Sequence, residues 1–189
     1  MSNSITISLR DEAKEWCRGR IPYLRIILLI YFTYVGIRHL GNPMYNSWFK
    51  PLNLGIHECG HFAFIWMGQF LYISGGTILQ LLVPIVSIGM FYKQSDFFAI
   101  AVCFGWLSTN FFDVATYVAD ARDMSLPLVS PFGAEVMHDW NYLLGRMHLL
   151  QYDATIAFLV RCCAVISMLI CLIFGTWLIW QMFTSSEED

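Results

Sequence analysis

The run IAFLVRCCAVISMLICLIFGTWLIWQMF, residues 156–183, decides the fold class. It carries a single charged residue, Arg161, and it exceeds the roughly 20 apolar residues that an α-helix needs to cross a bilayer. Three further runs have a similar composition: Tyr23–Leu40, Thr77–Tyr92 and Phe97–Val118. A fifth run, Leu54–Ile73, is apolar but is interrupted by ionisable side chains. The sequence therefore predicts an all-α, polytopic helical membrane protein with about five transmembrane helices.

The composition of the whole chain supports the same class. Of its 189 residues, 57% are hydrophobic and 13% are charged, whereas a soluble domain usually has about 45–50% and about 25%. The 11 basic and 14 acidic residues give a net charge of -3, which leaves no basic surplus to neutralise the phosphates of a nucleic acid. The expected partners are therefore membrane lipid and either a membrane-protein substrate or partner subunits, and no nucleic acid.

The chain divides into consecutive parts of one membrane domain, residues 1–189. Residues 1–22 form a cytoplasmic or interfacial segment, in which Ser8–Trp16 suits an amphipathic helix lying on the bilayer. Residues 23–118 hold the first four membrane segments, 119–155 form a partly structured cap loop, and 156–183 form the last transmembrane helix.

The distribution of basic residues predicts the orientation of the chain. With five spans and an inner N-terminus, eight basic residues lie inside: Arg10, Lys14, Arg18, Arg20, Arg25, Arg122, Arg146 and Arg161. Three lie outside: Arg38, Lys50 and Lys93. This bias favours a cytoplasmic N-terminus and an exported C-terminal tail. The expected location is a bacterial inner membrane, with an organelle membrane as the alternative.

The pentad His57-Glu58-Cys59-Gly60-His61 has the form H-E-x-x-H. On a helix, residues four apart share a face, so both imidazoles can bind one cation while Glu58 faces a bound water. Zn²⁺ accepts such ligands readily. Ionisable groups in a bilayer-length apolar helix are expensive to desolvate, which favours a functional role. The pattern therefore predicts a zinc site, with His57 and His61 as ligands and Glu58 as the catalytic base.

A catalytic zinc site needs a third protein ligand, and three places in the sequence offer one. Asp113 lies within the apolar run that starts at Phe97, and Asp120 follows it on nearly the same helical face. Seven helical residues separate the two by about 10 Å, so one zinc ion takes only one of them. We prefer Asp113, because its burial is harder to explain otherwise. His138 and Asp139, in the cap, form a third candidate pair.

The expected depths of these ligands disagree. If the His57 helix starts at the outer surface near residue 54, its histidines lie only about 5–10 Å below that surface, while Asp113 lies about 24 Å along its own helix. Either the His57 helix is short and sunk below the surface, which Pro43 and Pro51 permit, or the number of spans is not five. Gly68, Gly75 and Gly76 indicate a re-entrant loop after the motif.

Two other interpretations of the motif stay open. The histidines can be hydrogen-bonded core residues, with Glu58 paired to an arginine such as Arg38. Alternatively, one histidine can be an axial ligand of haem or of a chlorophyll-type pigment, with Gly60 giving the macrocycle room, although this leaves Glu58 without a role.

These features together resemble the site-2 protease family of intramembrane zinc metalloproteases. The likeness covers residues 50–123 and rests on the H-E-x-x-H helix, the glycine-bearing stretch 68–76, the helix with Pro84, and the later helix with Asn110 and two acids. In that family the third ligand is the aspartate of an Asp-Gly pair. Here Asp113 precedes Val114 and Asp120 precedes Ala121. Position relative to Arg122 favours Asp120, and depth favours Asp113.

The expected function is hydrolysis of peptide bonds within or beside the bilayer. His57, His61 and Asp113 or Asp120 bind Zn²⁺, and Glu58 moves the proton from the attacking water to the leaving nitrogen. Asn110 is expected to hydrogen-bond the substrate backbone or the oxyanion. The alternative is a non-catalytic accessory subunit that packs an aromatic-rich surface against a larger membrane complex.

Overall fold

The computed structural model describes residues 8–127 and 137–185. Within these ranges the chain forms the α-helices α1 Leu9–Cys17, α2 Tyr23–Gly41, α3 Lys50–Ala63, α4 Gln69–Lys93, α5 Phe97–Ala119, α6 Asp139–Arg146 and α7 Asp153–Ser185. Short 3-10 turns, Ile65–Met67 and Leu150–Tyr152, precede α4 and α7. The predicted all-α fold is confirmed. Four of the described helices, α2, α4, α5 and α7, are long and apolar enough to cross a membrane.

The fifth predicted segment, Leu54–Ile73, does not form a spanning helix. It is divided among α3, the turn Ile65–Met67 and the first residues of α4. Gly68 separates the turn from α4 with φ 85°, a left-handed conformation that glycine adopts without a steric penalty. The expected irregular stretch from Gly68 to Gly76 is therefore limited to its first residue, because Gly75 and Gly76 lie inside α4.

The spanning helices form a bundle around α5, the most buried of them. α5 and α7 run antiparallel: Ser108 Oγ donates to the Ala164 carbonyl at 2.7 Å, and Arg122, just beyond α5, pairs with Asp153 at the start of α7. α1 packs at the opposite end of the bundle, where Cys17 Sγ donates to the Leu178 carbonyl. We name these two ends the cap end, which holds Arg122, Asp153 and α6, and the α1 end.

The segment between α2 and α3 turns back into the bundle. At the cap end, the Pro43 carbonyl accepts a hydrogen bond of 2.8 Å from Thr116 Oγ1, near the end of α5. Six residues later, the Phe49 ring stacks on Phe32, halfway along α2, with ring centroids 5.7 Å apart. α3 therefore starts level with the middle of α2 and runs back towards the cap end. Two observations remove the conflict of depths: α3 is short and ascends towards the cap end, and four described helices, not five, are long enough to span.

The four-helix count changes the expected distribution of basic residues. Arg10, Lys14, Arg18 and Arg20 belong to or adjoin α1, whereas Arg122 and Arg146 lie at the cap end. The latter two therefore do not share a side with α1, contrary to the five-span count. The described end of α7 also lies at the α1 end, where Phe183 packs against Tyr23.

Candidate metal centre

The two histidines of the H-E-x-x-H pentad lie one helical turn apart on α3, near the cap end. Their ring centroids are 4.9 Å apart. The His57 side chain is 9% exposed and the His61 side chain 13%, so both rings are largely withdrawn from solvent. The local part of the prediction, that residues 57 and 61 share a face, agrees with this geometry.

Three glycines bring α3 and α4 into close contact behind this pair. A Cβ atom on Gly60 would lie 2.2 Å from the Gly75 carbonyl oxygen, and one on Gly76 would lie 2.6 Å from His57 Nε2. The two helix backbones therefore nearly touch, and the His57 ring fills the space left by Gly76. Since Gly60 faces the α4 backbone, it gives no room to a macrocycle.

The Nδ1 atoms of both rings are anchored on α4. His61 Nδ1 lies 2.9 Å from the Tyr72 carbonyl oxygen, and His57 Nδ1 lies 3.0 Å from Gln80 Oε1. These oxygens only accept hydrogen bonds, so each Nδ1 carries a proton and donates it. In the neutral rings, both Nε2 atoms therefore present a lone pair. This outer hydrogen bond to an oxygen is typical of histidines that bind metals.

Both Nε2 atoms point at the carboxylate of Asp139, the first residue of α6. Asp139 Oδ2 lies 2.9 Å from His57 Nε2 and 3.3 Å from His61 Nε2. One ligand atom from each of the three side chains lies within 4.8 Å of the others. Three acceptors facing one another repel unless protons or a cation lie between them. Two nitrogens and one carboxylate oxygen thus form a cluster that could hold a metal ion.

The electrostatics of this centre favour a charged carboxylate. Burial of Asp139 opposes its ionisation, but His57 and His61, which donate to its carboxylate when their rings are protonated, outweigh burial and hold its pKa below the usual value. Burial of His61 opposes its protonation, but the contacts with Asp139 and the Tyr72 carbonyl raise its pKa above 6.5. Asp139 therefore supplies negative charge to whichever cation, a proton or a metal, occupies the centre.

Asp113 and Asp120 do not join this cluster. Asp113 accepts a hydrogen bond of 2.8 Å from Asn53 Nδ2, which connects α5 to α3. Asp120 accepts from the Ser125 backbone and hydroxyl and from the Leu126 backbone. Of the candidate third ligands, the one whose carboxylate lies beside the histidines is Asp139, on the cap.

Asn110 also lies away from the histidines. Its side chain is completely buried, and its amide nitrogen donates to the Trp106 carbonyl on the previous turn of α5. Tyr117, whose ring neighbours His57, lies seven residues or about 10 Å further along α5. A role in binding substrate needs an accessible amide, which Asn110 does not have.

Glu58 occupies the position that the motif predicts, directly after His57 on α3. Its side chain is half-buried, and its charge acts on both His61 and Tyr117. Glu58 therefore lies at the rim of the centre, partly accessible, as a base for a bound water must be.

Sequence reasoning did not identify the residues from α4 and α5 that surround the histidines: Tyr72, Gln80 and Tyr117. Gln80 gives the clearest signal in retrospect, because it is an amide within the apolar run Thr77–Tyr92 and is 5% exposed. A buried polar group needs a partner, and His57 is that partner.

Comparisons with known proteins leave the chain without an assigned relative. No protein-family model matches the sequence, and neither a curated protein nor a solved structure matches it.

Proposed function

We propose that the chain is a membrane-embedded zinc metalloprotease that hydrolyses peptide bonds of membrane-protein substrates. The observation that carries this proposal is the convergence of His57 Nε2, His61 Nε2 and Asp139 Oδ2, with Glu58 beside them on α3. As a sequence, the pentad resembles that of the site-2 protease family. The proposal keeps Glu58 and both histidines and takes Asp139 as the third ligand.

The donor set fits zinc. Two imidazole nitrogens and one carboxylate oxygen are usual ligands of catalytic zinc, and they leave a fourth position for water. Bonds of about 2.0–2.2 Å at tetrahedral angles separate ligand atoms by about 3.4 Å. The separations from Asp139 Oδ2, 2.9 and 3.3 Å, are already near that value. The two Nδ1 anchors hold the rings in the orientation that such binding requires.

Bound zinc supplies a Lewis acid that polarises the scissile carbonyl and lowers the pKa of water towards about 7. The chain's residues supply the rest of the chemistry. The Glu58 carboxylate accepts a proton from the attacking water and passes it to the leaving nitrogen. Asp139 neutralises part of the positive charge, and the α3–α4 contact excludes bulk water from the inner side of the centre.

The position of the centre indicates which peptide bonds it reaches. The His57 ring lies 6.1 Å from the ring of Tyr117, two residues before the last residue of α5, and Asp139 belongs to the cap. The centre therefore lies near the cap-end boundary of the apolar helices, and not at the middle of the bundle. We infer that substrates are membrane proteins cleaved beside the membrane on the cap-end side, where an extended backbone is accessible.

The proposal is tested by measuring zinc and proteolysis together on detergent-purified protein. We compare wild type with Glu58→Gln and with Glu15→Gln, a control that alters an exposed glutamate on α1. The probes are fluorescent casein and a synthetic single-span peptide with a flexible stretch at one end of its span. We expect one zinc per chain in all three proteins, and cleavage by wild type and Glu15→Gln only.

Each other outcome has a definite meaning. Cleavage by Glu58→Gln at the wild-type rate excludes Glu58 as the base. Zinc binding without cleavage of either probe supports the rival function, a non-catalytic accessory subunit. Absence of zinc from wild type overturns the proposed function, and strong visible absorbance in the same sample indicates a bound macrocycle.

A further inference from the structure

The third ligand belongs to a different part of the chain from the two histidines. Asp139 begins α6, an eight-residue helix, and 77 residues of sequence lie between it and His61. A helix this short has little stability of its own. The position of the Asp139 carboxylate therefore depends on the contacts that fix the start of α6.

His138, the residue before Asp139, makes two of these contacts. Its Nδ1 accepts a hydrogen bond of 3.1 Å from the Asn141 backbone, so His138 caps the N-terminus of α6. Because Nδ1 uses its lone pair, the proton of the neutral ring lies on Nε2. Nε2 lies 3.2 Å from Asp120 Oδ2 and donates to it. The ring is 4% exposed, and neither nitrogen is left to bind a metal.

Asp120 is fixed in turn by the chain that follows α5. Its carboxylate accepts hydrogen bonds from Ser125 N at 2.9 Å, Ser125 Oγ at 2.7 Å and Leu126 N at 3.0 Å, in addition to that from His138. It is 8% exposed. Burial opposes its ionisation, but these hydrogen bonds outweigh burial and hold its pKa below the usual value. Asp120 is therefore a fixed, charged acceptor at the end of α5.

Tyr117 connects the same helix to both residues of the His138-Asp139 pair. Its ring packs on the His138 ring with centroids 4.4 Å apart, and its hydroxyl oxygen accepts from Asp139 N at 3.1 Å. The last turn of α5 thus holds the start of α6, and it also borders His57.

We propose that His138, held by Asp120 and Tyr117, is a positioning residue that sets the Asp139 carboxylate against His57 and His61 and so completes the metal centre. This inference rests on the proposed zinc site. It gives a role to two residues that the sequence offered as ligands, His138 and Asp120, which lie outside the cluster of His57, His61 and Asp139. Through the contacts of Asp120 and Tyr117 with His138, the end of α5 fixes the position of Asp139, a proposed ligand that lies far from the two histidines in sequence.

The test compares four variants in intact, detergent-purified protein. Asp139→Ala removes the proposed third ligand. His138→Phe keeps an aromatic ring on Tyr117 but removes both hydrogen bonds, and His138→Gln keeps a donor and an acceptor. Asp113→Asn is the matched control, because it alters a hydrogen-bonded acid of α5 outside the cluster. For each we measure the zinc dissociation constant by chelator competition, the visible spectrum of the Co²⁺-substituted protein, and the melting temperature.

We expect His138→Phe to bind zinc about 10- to 100-fold more weakly than wild type, the range typical for residues that orient a ligand. Its Co²⁺ spectrum should change in the same way as that of Asp139→Ala. His138→Gln should recover most of the affinity, and Asp113→Asn should match wild type. A purely structural role for His138 predicts a lower melting temperature with an unchanged Co²⁺ spectrum in the folded protein.

Two results separate the failure of this inference from that of the proposed function. Wild-type affinity and spectrum in His138→Phe, together with loss of zinc in Asp139→Ala, overturn the positioning role and leave the zinc site intact. Wild-type zinc binding by Asp139→Ala overturns the ligand set itself. If His138→Phe does not fold, Asp120→Asn weakens the same contact with a smaller change in shape, and wild-type zinc affinity in that variant also overturns the inference.

Discussion

Replacing Gly76 by alanine should weaken metal binding without unfolding the protein. A Cβ atom at this position would lie 2.6 Å from His57 Nε2 and 2.8 Å from both Cε1 and Cδ2. These three atoms include the nitrogen that the proposed site offers to the metal. The added methyl group therefore displaces the ring of a proposed ligand.

The size of the effect follows from the displacement. An ordinary contact of this kind is about 3.4 Å or longer, so Nε2 must move by about 0.8 Å. Metal–ligand distances vary by only about 0.2 Å from their ideal values. Displacement of the ring also strains the hydrogen bond between His57 Nδ1 and Gln80 Oε1, whose length is 3.0 Å. We expect zinc affinity to fall at least 10- to 100-fold, as for a misplaced ligand.

The cost to folding should be smaller. Overpacking a core costs about 1–3 kcal/mol, but alanine is a better helix former than glycine by about 1 kcal/mol. The two effects partly cancel in the middle of α4. The melting temperature of the metal-free protein should therefore change by only a few degrees.

The assay uses a control on the same helix. Gly89 lies in α4 with nothing within 4 Å of the position of a Cβ, so Gly89→Ala should keep the wild-type zinc affinity. Zinc dissociation constants are measured by chelator competition, with elemental mass spectrometry for stoichiometry. Equal affinities in Gly76→Ala and Gly89→Ala would contradict this prediction, because His57 would then not need the space that Gly76 leaves.

Two further substitutions test the packing that carries the centre. Gly60→Ala should destabilise the fold by about 1–3 kcal/mol or more, because its Cβ meets the backbone of Gly75, which cannot rotate away. The measurement is thermal melting against a control, Gly55→Ala, whose Cβ meets nothing within 4 Å. Equal melting temperatures of the two variants would contradict the prediction. Asn53→Ala should lower the free energy of unfolding by about 2–4 kcal/mol, because the Trp106 indole and the Asp113 carboxylate both lose their hydrogen bonds with Asn53. Chemical unfolding measures this change. A decrease below about 1 kcal/mol would show that water replaces the lost amide.

The spanning helices could be predicted because their signal is local. The length of a long apolar run directly predicts the length of the helix. The predicted Tyr23–Leu40 and Phe97–Val118 each differ from the observed helix by one residue at one end. The same reasoning failed for Leu54–Ile73, since mean hydropathy does not show that Gly68 turns the chain there.

The candidate metal centre was predictable only where its residues are neighbours in sequence. His57 and His61 share a face through helix periodicity alone. Asp139 reaches them through tertiary contacts that no spacing rule encodes. Burial of Asp113 gave a misleading signal, because the Asn53 amide, 60 residues earlier in the sequence, explains it. A buried acid therefore identifies a functional residue only after its hydrogen-bond partners are known.

The re-entry of the chain before α3 explains why a three-ligand centre can form at all. A helix descending from the cap end would carry its later residues, including His61, deeper into the bundle and away from α6. α3 instead starts near Phe32 and ascends, so its second half reaches the cap end. The rise of about 21 Å over its 14 residues is enough to bring His57 level with Tyr117 and His61 beyond it. The aspartate of a short cap helix can meet both histidines only at that height, so the direction of α3 is as necessary to the centre as the ligands themselves.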